Sequence, residues 1–280
     1  MNLVLNVWGS IEMFYRRLIS SLALGLIFIL SLFVMPKWTF AVLLIIFCTL
    51  GTYEFFSLIE RKGISTLKLL GTFIAAAIPI TIFTEFELTK GWELFFIVLA
   101  IFILFVIQFT RKNNAQAIVS ISLTLFGIFY VSWLLSFIMR IFLLTHGASL
   151  VFFLVLVTKM GDVGAYIGGT YFGKHSLISR ISPRKTIEGT VSAFLTTLLF
   201  SCLSIIYLPQ ISLKHLFLLG LLLGALAQIG DLSESLIKRD YKIKDSGVLI
   251  PGFGGVLDLV DSILFTAPAF YFYLINVKII

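Results

Sequence analysis

The chain has 280 residues, 59% of them hydrophobic and only 12% charged, with a mean hydropathy of +1.08. These values exclude an ordinary soluble domain and point to a chain solvated by a bilayer. Its formal charge of +7 is explained by cations gathered on one side of a membrane, near anionic headgroups, so nucleic-acid binding is not needed to account for it.

Apolar runs that suffice to cross a hydrocarbon core of about 30 Å fall at 18–35, 38–59, 67–84, 92–109, 117–144, 148–172, 187–208, 212–230 and 260–279. The expected fold class is therefore all-α: a polytopic membrane protein of about nine transmembrane helices with a cytosol-facing polar site. Three regions follow. Residues 1–17 read as a cytosolic amphipathic N-terminal segment, 18–144 as an N-terminal transmembrane region of five spans, and 145–280 as a catalytic transmembrane region. The last holds four spans and the cytosolic loops 173–186 and 231–258. Arg16 and Arg17 precede the first run, but no small-x-small cleavage site follows before Pro36, so that run is read as a retained span. Cys48 and Cys202 both lie in apolar runs, which argues against a disulfide framework or a cysteine metal site.

The sixth run is interrupted by Lys159, Gly161, Asp162, Gly164, Gly168 and Gly169, and the loop charges decide whether it crosses. With nine crossings, 15 of the 21 Lys and Arg residues fall on the side of the N-terminus, five fall on the other, and Lys159 lies within a span. This bias places the N-terminus and the cation-rich loops in the cytosol. Deleting the sixth span would move the cations near 238–244 to the opposite side. The expected location is thus integral, multi-pass, in a bacterial-type cytoplasmic membrane, with the active site on the cytosolic side.

Ionisable residues at membrane depth are costly and tend to be functional. Asp162 has two readings: an i, i+3 ion pair with Lys159, or a lining residue of a cavity where the glycines permit close approach and a broken helix. Glu54, within about two turns of the inner surface, reads as structural. Asp231 closes the eighth run, while Asp258 and Asp261 open the ninth at helical i, i+3 spacing. Three carboxylates from two adjacent span ends suit a hard divalent cation such as Mg²⁺, with substrate phosphates as further ligands. Ordinary water-facing span ends are the alternative. In the preceding loop, Ser182, Pro183, Arg184, Lys185 and Thr186 place cations and hydroxyls before the seventh run, where helix N-terminal amides favour anions. That arrangement suits a polyphosphate, although a positive-inside anchor would also account for the charges. His175 reads as a solvated loop residue, and no Ser-His-Asp or Cys-His arrangement stands out.

Three ordered blocks carry a family resemblance. They are G-D-V-G-A-Y-I-G-G-T-Y-F-G-K at 161–174, I-S-P-R-K-T-I-E-G at 181–189, and S-L-I-K-R-D-Y-K-I-K-D-S-G-V-L-I-P-G-F-G-G-V-L-D-L-V-D at 235–261. Together with the nine-run layout, they resemble the phosphatidate cytidylyltransferases, or CDP-diacylglycerol synthases. Over the first four runs only hydropathy matches. The resemblance implies attack of the phosphatidate phosphate on the α-phosphorus of CTP, release of pyrophosphate, and retention of CDP-diacylglycerol in the membrane. It implies Asp231, Asp258 and Asp261 as ligands of Mg²⁺, with a second cation such as K⁺ beside it. Lys238 and Arg239 join them as catalytic residues steering phosphates. The expected CTP and phosphate contacts are Asp162, Ser182, Arg184, Lys185, Thr186, Lys244 and Asp245. The partners are CTP, phosphatidate and the bilayer, and a homodimer is implied.

Two positions depart from the family pattern: Phe253 stands where His is usual, and Leu259 where Arg is usual. A low-activity homologue, another CTP-dependent lipid enzyme such as a polyprenol or phytol kinase or an ether-lipid cytidylyltransferase, and a transporter are the rival expectations. A transporter predicts matching broken helices in two halves, and the sequence offers only one such segment.

Overall fold

The computed structural model describes residues 19–85, 92–111, 115–243, 246–247, 249–250 and 254–277. Helix α1 (Ile19–Phe33) is followed by Pro36, whose fixed φ starts α2 (Lys37–Glu60). Gly63, at φ +76°, turns the chain after α2 in a conformation that costs glycine little. Then come α3 (Lys68–Phe83), α4 (Trp92–Thr110), α5 (Ala117–Leu143) and α6 (Gly147–Phe172). A hairpin of β1 (Ser176–Ile178) and β2 (Ser182–Thr186) leads into α7 (Ile187–Leu203), α8 (Leu213–Asp240) and α9 (Val256–Val277).

Among the described residues, six helices are long and apolar enough to cross a membrane: α2, α5, α6, α7 with its 3₁₀ extension to Ile206, α8 and α9. The other expected spans appear as shorter apolar helices, α1, α3 and the Phe96–Thr110 part of α4. The expected 1–17 segment lies outside the described residues.

Helix α9 is central, packing on α2, α5, α6 and α8. Its Phe270 meets Phe153 of α6 at a ring-centroid distance of 5.2 Å, with both side chains fully buried. In lipid such contacts act through close packing and satisfied polar groups rather than the hydrophobic effect. One example lies between α3 and α5. Pro79 has no N–H to give the carbonyl of Ala75 one helical turn earlier. The buried Ser132 hydroxyl donates to that oxygen at 2.6 Å, from within a π-helical turn of α5 at Ile128–Trp133.

Three expectations change. First, α6 is continuous from Gly147 to Phe172, not broken at its glycines. A Cβ at Gly161, Gly164 or Gly168 would run into Thr197, Thr196 or Ser192 of α7, so these glycines form a close helix-packing seam. Second, the eighth helix does not stop at 230 but runs to Asp240, so Asp231, Glu234 and Lys238 are helical rather than loop residues. Third, the loop 173–186 folds into the hairpin. The cation-rich connections gather at one end: Lys62 pairs with Asp240 at 2.8 Å, Arg111 donates to Ser65 at 3.0 Å, and Arg239 donates to the Ile181 carbonyl at 3.1 Å. This is the grouping that alternate crossing requires.

Candidate active site

Four elements bring polar groups together. From α6, Lys159 and Asp162 stand about one turn apart on the same face. Lys159 Nζ donates to Asp162 Oδ2 at 2.9 Å and to Ser262 Oγ of α9 at 2.9 Å, and Ser262 Oγ donates to Asp162 Oδ2 at 3.0 Å. The ion pair with Lys159 forms, and Asp162 also lines a cavity, although from an unbroken helix whose glycines face α7. Asp261, 7% exposed, accepts the Ser262 backbone N–H at 2.6 Å and lies within electrostatic reach of Asp231, Lys159 and Asp162.

From the hairpin, Lys185 pairs with Asp231 of α8 at 2.6 Å. One to two turns further along α8, Lys238 pairs with the fully buried Glu234 and, at 2.9 Å, with Asp258 Oδ1. Asp258 is the most heavily bonded carboxylate. Besides Lys238 it accepts the Ser246 backbone N–H at 2.9 Å, the Ser246 hydroxyl at 2.8 Å and the Gly255 N–H at 2.7 Å. It thus ties down both ends of the segment between Ser246 and α9. Glu54 of α2 completes the support, with its Oε2 accepting the Leu257 N–H at 2.9 Å.

A cavity of about 760 Å³ joins this cluster to an apolar groove. Leu24 and Phe28 of α1, Phe40 and Phe47 of α2 and Val155 of α6 line the apolar part, while Lys159, Asp162, Asp231, Asp258 and Asp261 line the polar end. Helices of the expected N-terminal region thus form part of the cavity wall. The arrangement can accept a molecule with one apolar and one strongly polar end.

The residues expected from sequence are distributed unevenly. Asp162, Asp231, Asp258 and Asp261 reach the cavity. Among the described residues, however, no three His, Cys, Asp or Glu side chains are arranged to hold a metal ion by themselves. Asp258 is engaged by Lys238, Ser246 and Gly255, so the three aspartates do not form a preformed three-carboxylate cage. Lys185 and Lys238 are engaged in ion pairs, and Arg239 holds the hairpin to α8. Arg184 is exposed and Ser182 half-buried on β2. The Thr186 hydroxyl caps α7, accepting the Gly189 N–H at 3.1 Å. Lys244, Asp245 and Phe253 lie outside the described residues.

Sequence reasoning missed Lys159 as more than a counter-ion, and it missed Glu234, Ser246 and Ser262. Glu234 carried a signal in its i, i+4 spacing to Lys238. The two serines carried none beyond their adjacency to Asp245 and Asp261.

The sequence profile described as "Cytidylyltransferase family" matches residues 15–277. A protein from Synechocystis named phosphatidate cytidylyltransferase is 33% identical over 93% of this chain and 96% of its own length. The protein of the same name from Bacillus subtilis is 41% identical over 46% of this chain and 48% of its own. That from Staphylococcus saprophyticus is 39% identical over 48% and 52%. The last two alignments thus span about half the length of each relative.

Proposed function

Because the chain belongs to the cytidylyltransferase family and is a membrane-embedded nucleotidyltransferase, we propose that it transfers the cytidylyl group of CTP to phosphatidate, forming CDP-diacylglycerol and pyrophosphate. The observation that carries the choice of acceptor is the cavity in which an apolar groove between α1, α2 and α6 meets a cluster of carboxylates and a lysine. Acyl chains suit the groove, and a phosphomonoester suits the polar end beside Lys159, where a divalent cation would offset the carboxylates. The names of the Synechocystis and Bacillus relatives support the same acceptor.

In this reading an oxygen of the lipid phosphate forms a bond to the α-phosphorus of CTP. The bond from that phosphorus to the α,β-bridging oxygen breaks, and pyrophosphate leaves. No side-chain nucleophile is needed, since the lipid phosphate is already ionised near neutral pH. The protein's part is positioning and charge neutralisation. Lys185, with Arg184 and Ser182 beside it on β2, meets the triphosphate arriving at the hairpin end. Lys238 keeps the segment that follows α8 in place through Asp258.

A divalent cation fits part of this donor set. Asp231 and Asp261 line one cavity, repel one another, and would be relieved by Mg²⁺; Asp258 already has its donors. Bound there, Mg²⁺ would supply neutralisation of triphosphate charge. The cation-rich end faces the cytosol by the positive-inside bias. The homodimer that the family resemblance implies belongs to the same proposal.

The test is an assay of detergent-solubilised protein with α-³²P-labelled CTP, phosphatidate and Mg²⁺, following label into the organic phase. Label there that depends on phosphatidate and is lost with EDTA is the expected result. Transfer from γ-labelled CTP instead would replace the cytidylyltransferase reading with a lipid kinase.

A further inference from the structure

We infer that Lys159 is the residue that receives the phosphate of the lipid substrate, an inference that rests on the acceptor proposed above. Among the described residues lining the 760 Å³ cavity, Lys159 is the one cation, beside Asp162 and within electrostatic reach of Asp231 and Asp261. The other cations of the site come from the hairpin and α8. Lys185 and Lys238 are paired with Asp231, Glu234 and Asp258, Arg239 bonds the hairpin, and none of the three lines the cavity. An anion that enters with its apolar chains still in the groove therefore meets Lys159, whereas a water-soluble triphosphate meets the hairpin cations.

The position of Lys159 on α6 fits this division. Val155, Lys159, Asp162, Val163 and Tyr166 form the helix face that lines the cavity, so Lys159 stands at the boundary between apolar wall and acidic cluster. Its ammonium is oriented from two helices, by Asp162 Oδ2 and Ser262 Oγ, each at 2.9 Å. Two of its three donors are thereby placed, and the third can serve a ligand oxygen. A counter-ion for Asp162 alone would need neither the Ser262 bond nor a place on the cavity wall. A fixed ammonium beside an apolar groove recognises a phosphomonoester through charge-assisted hydrogen bonds and gives the unphosphorylated diacylglycerol nothing comparable.

Two readouts test the inference on the full-length, detergent-purified protein. The first is thermal stabilisation by dioctanoyl phosphatidate without CTP, with dioctanoylglycerol as control. The wild-type protein is expected to be stabilised by phosphatidate alone, and Lys159→Ala to lose that response. The second is steady-state kinetics, in which Lys159→Ala is expected to raise the KM for phosphatidate about tenfold or more and leave the KM for CTP within about twofold. Lys159→Arg is expected to recover part of the loss. A raised KM for CTP, an unchanged KM for phosphatidate, or lowered stability with both KM values intact would each overturn the inference.

Should Lys159→Ala fail to fold, Ser262→Ala removes only the orienting hydroxyl. It is expected to raise the phosphatidate KM by roughly threefold, and no change overturns the inference. Absence of cytidylyl transfer by the wild-type protein would remove the proposed reaction. The thermal response, compared between wild type and Lys159→Ala, still decides whether Lys159 binds the phosphate.

Discussion

The Glu54 carboxylate accepts the backbone N–H of Leu257 at 2.9 Å, joining α2 to the first turn of α9 across 203 residues. Leu257 precedes Asp258, so this bond fixes the turn from which Asp258 and Asp261 project. A Cβ at Gly247 or Gly255 would collide with the same carboxylate, which explains why side chains are absent at both positions. A buried carboxylate at a helix N-terminus also complements the exposed amides there. Glu54→Ala is expected to lower kcat by about tenfold, the equivalent of roughly 1.4 kcal/mol in the barrier, with both KM values little changed. Glu54→Gln, which retains an acceptor, is expected to fall between. Full kcat in the alanine variant would mean that the Leu257 bond does not position the aspartates.

The α6–α7 seam makes a second prediction. Gly164 packs so closely on Thr196 and Ser192 that any side chain requires the helices to separate. Gly164→Ala is expected to cost roughly 1–3 kcal/mol of stability. Because α6 carries Lys159 and Asp162, activity should fall along with the melting temperature. Thr196→Ala, made in the Gly164→Ala background, should recover part of both, since it removes the hydroxyl that the new Cβ would meet first. A Gly164→Ala protein with unchanged melting temperature would contradict the packing described.

Much of this arrangement was legible in the sequence, for identifiable reasons. Runs of apolar residues reveal helices because a bilayer leaves the backbone no other partner for its polar groups, and each of α1 to α9 falls on one of the apolar runs, α8 extending past its run to Asp240. The charged ends of the eighth and ninth runs marked Asp231, Asp258 and Asp261 as a group. Side-chain direction was not legible. Asp258 and Asp261 share a helix face by spacing and both line the cavity, yet Asp258 is tied to Lys238, Ser246 and Gly255 while Asp261 lies near Lys159 and Asp231. The glycines of α6 were also ambiguous: a small residue permits either a ligand or a helix to approach, and here the partner is α7. Glu54 was opaque because its partner lies 203 residues away.

The different surroundings of Asp258 and Asp261 separate two variants that sequence spacing treats alike. Asp261→Asn removes a charge facing the cavity while leaving the Ser262 contact available to the amide oxygen. It is expected to abolish turnover, with the melting temperature near that of the wild type and with the Mg²⁺ dependence of any residual activity weakened. Asp258→Asn leaves Lys238 with Glu234 as its remaining carboxylate partner and weakens the hold on Ser246 and Gly255. It is expected to lower activity and stability together, by roughly 1–3 kcal/mol in the latter. Parallel melting curves and Mg²⁺ titrations check both. An Asp258→Asn protein of undiminished stability would return Asp258 to the metal site.

Leu259 lines the same cavity as Lys159 and stands where the family resemblance leads one to expect an arginine. One cavity therefore holds both a leucine where the resemblance implies a cation and a lysine on a neighbouring helix. If Lys159 serves the lipid phosphate, a cation at 259 should serve it as well, because phosphate recognition here depends on a donor charge at the edge of the groove rather than on one particular backbone. Leu259→Arg in the Lys159→Ala background is expected to restore a substantial part of the affinity for phosphatidate, read as the fall in KM relative to Lys159→Ala alone. In the wild-type background the same substitution should give little, since the cavity then already has its cation. Equal gains in both backgrounds would mean that the two positions act independently, and that Lys159 does not stand in for the missing arginine.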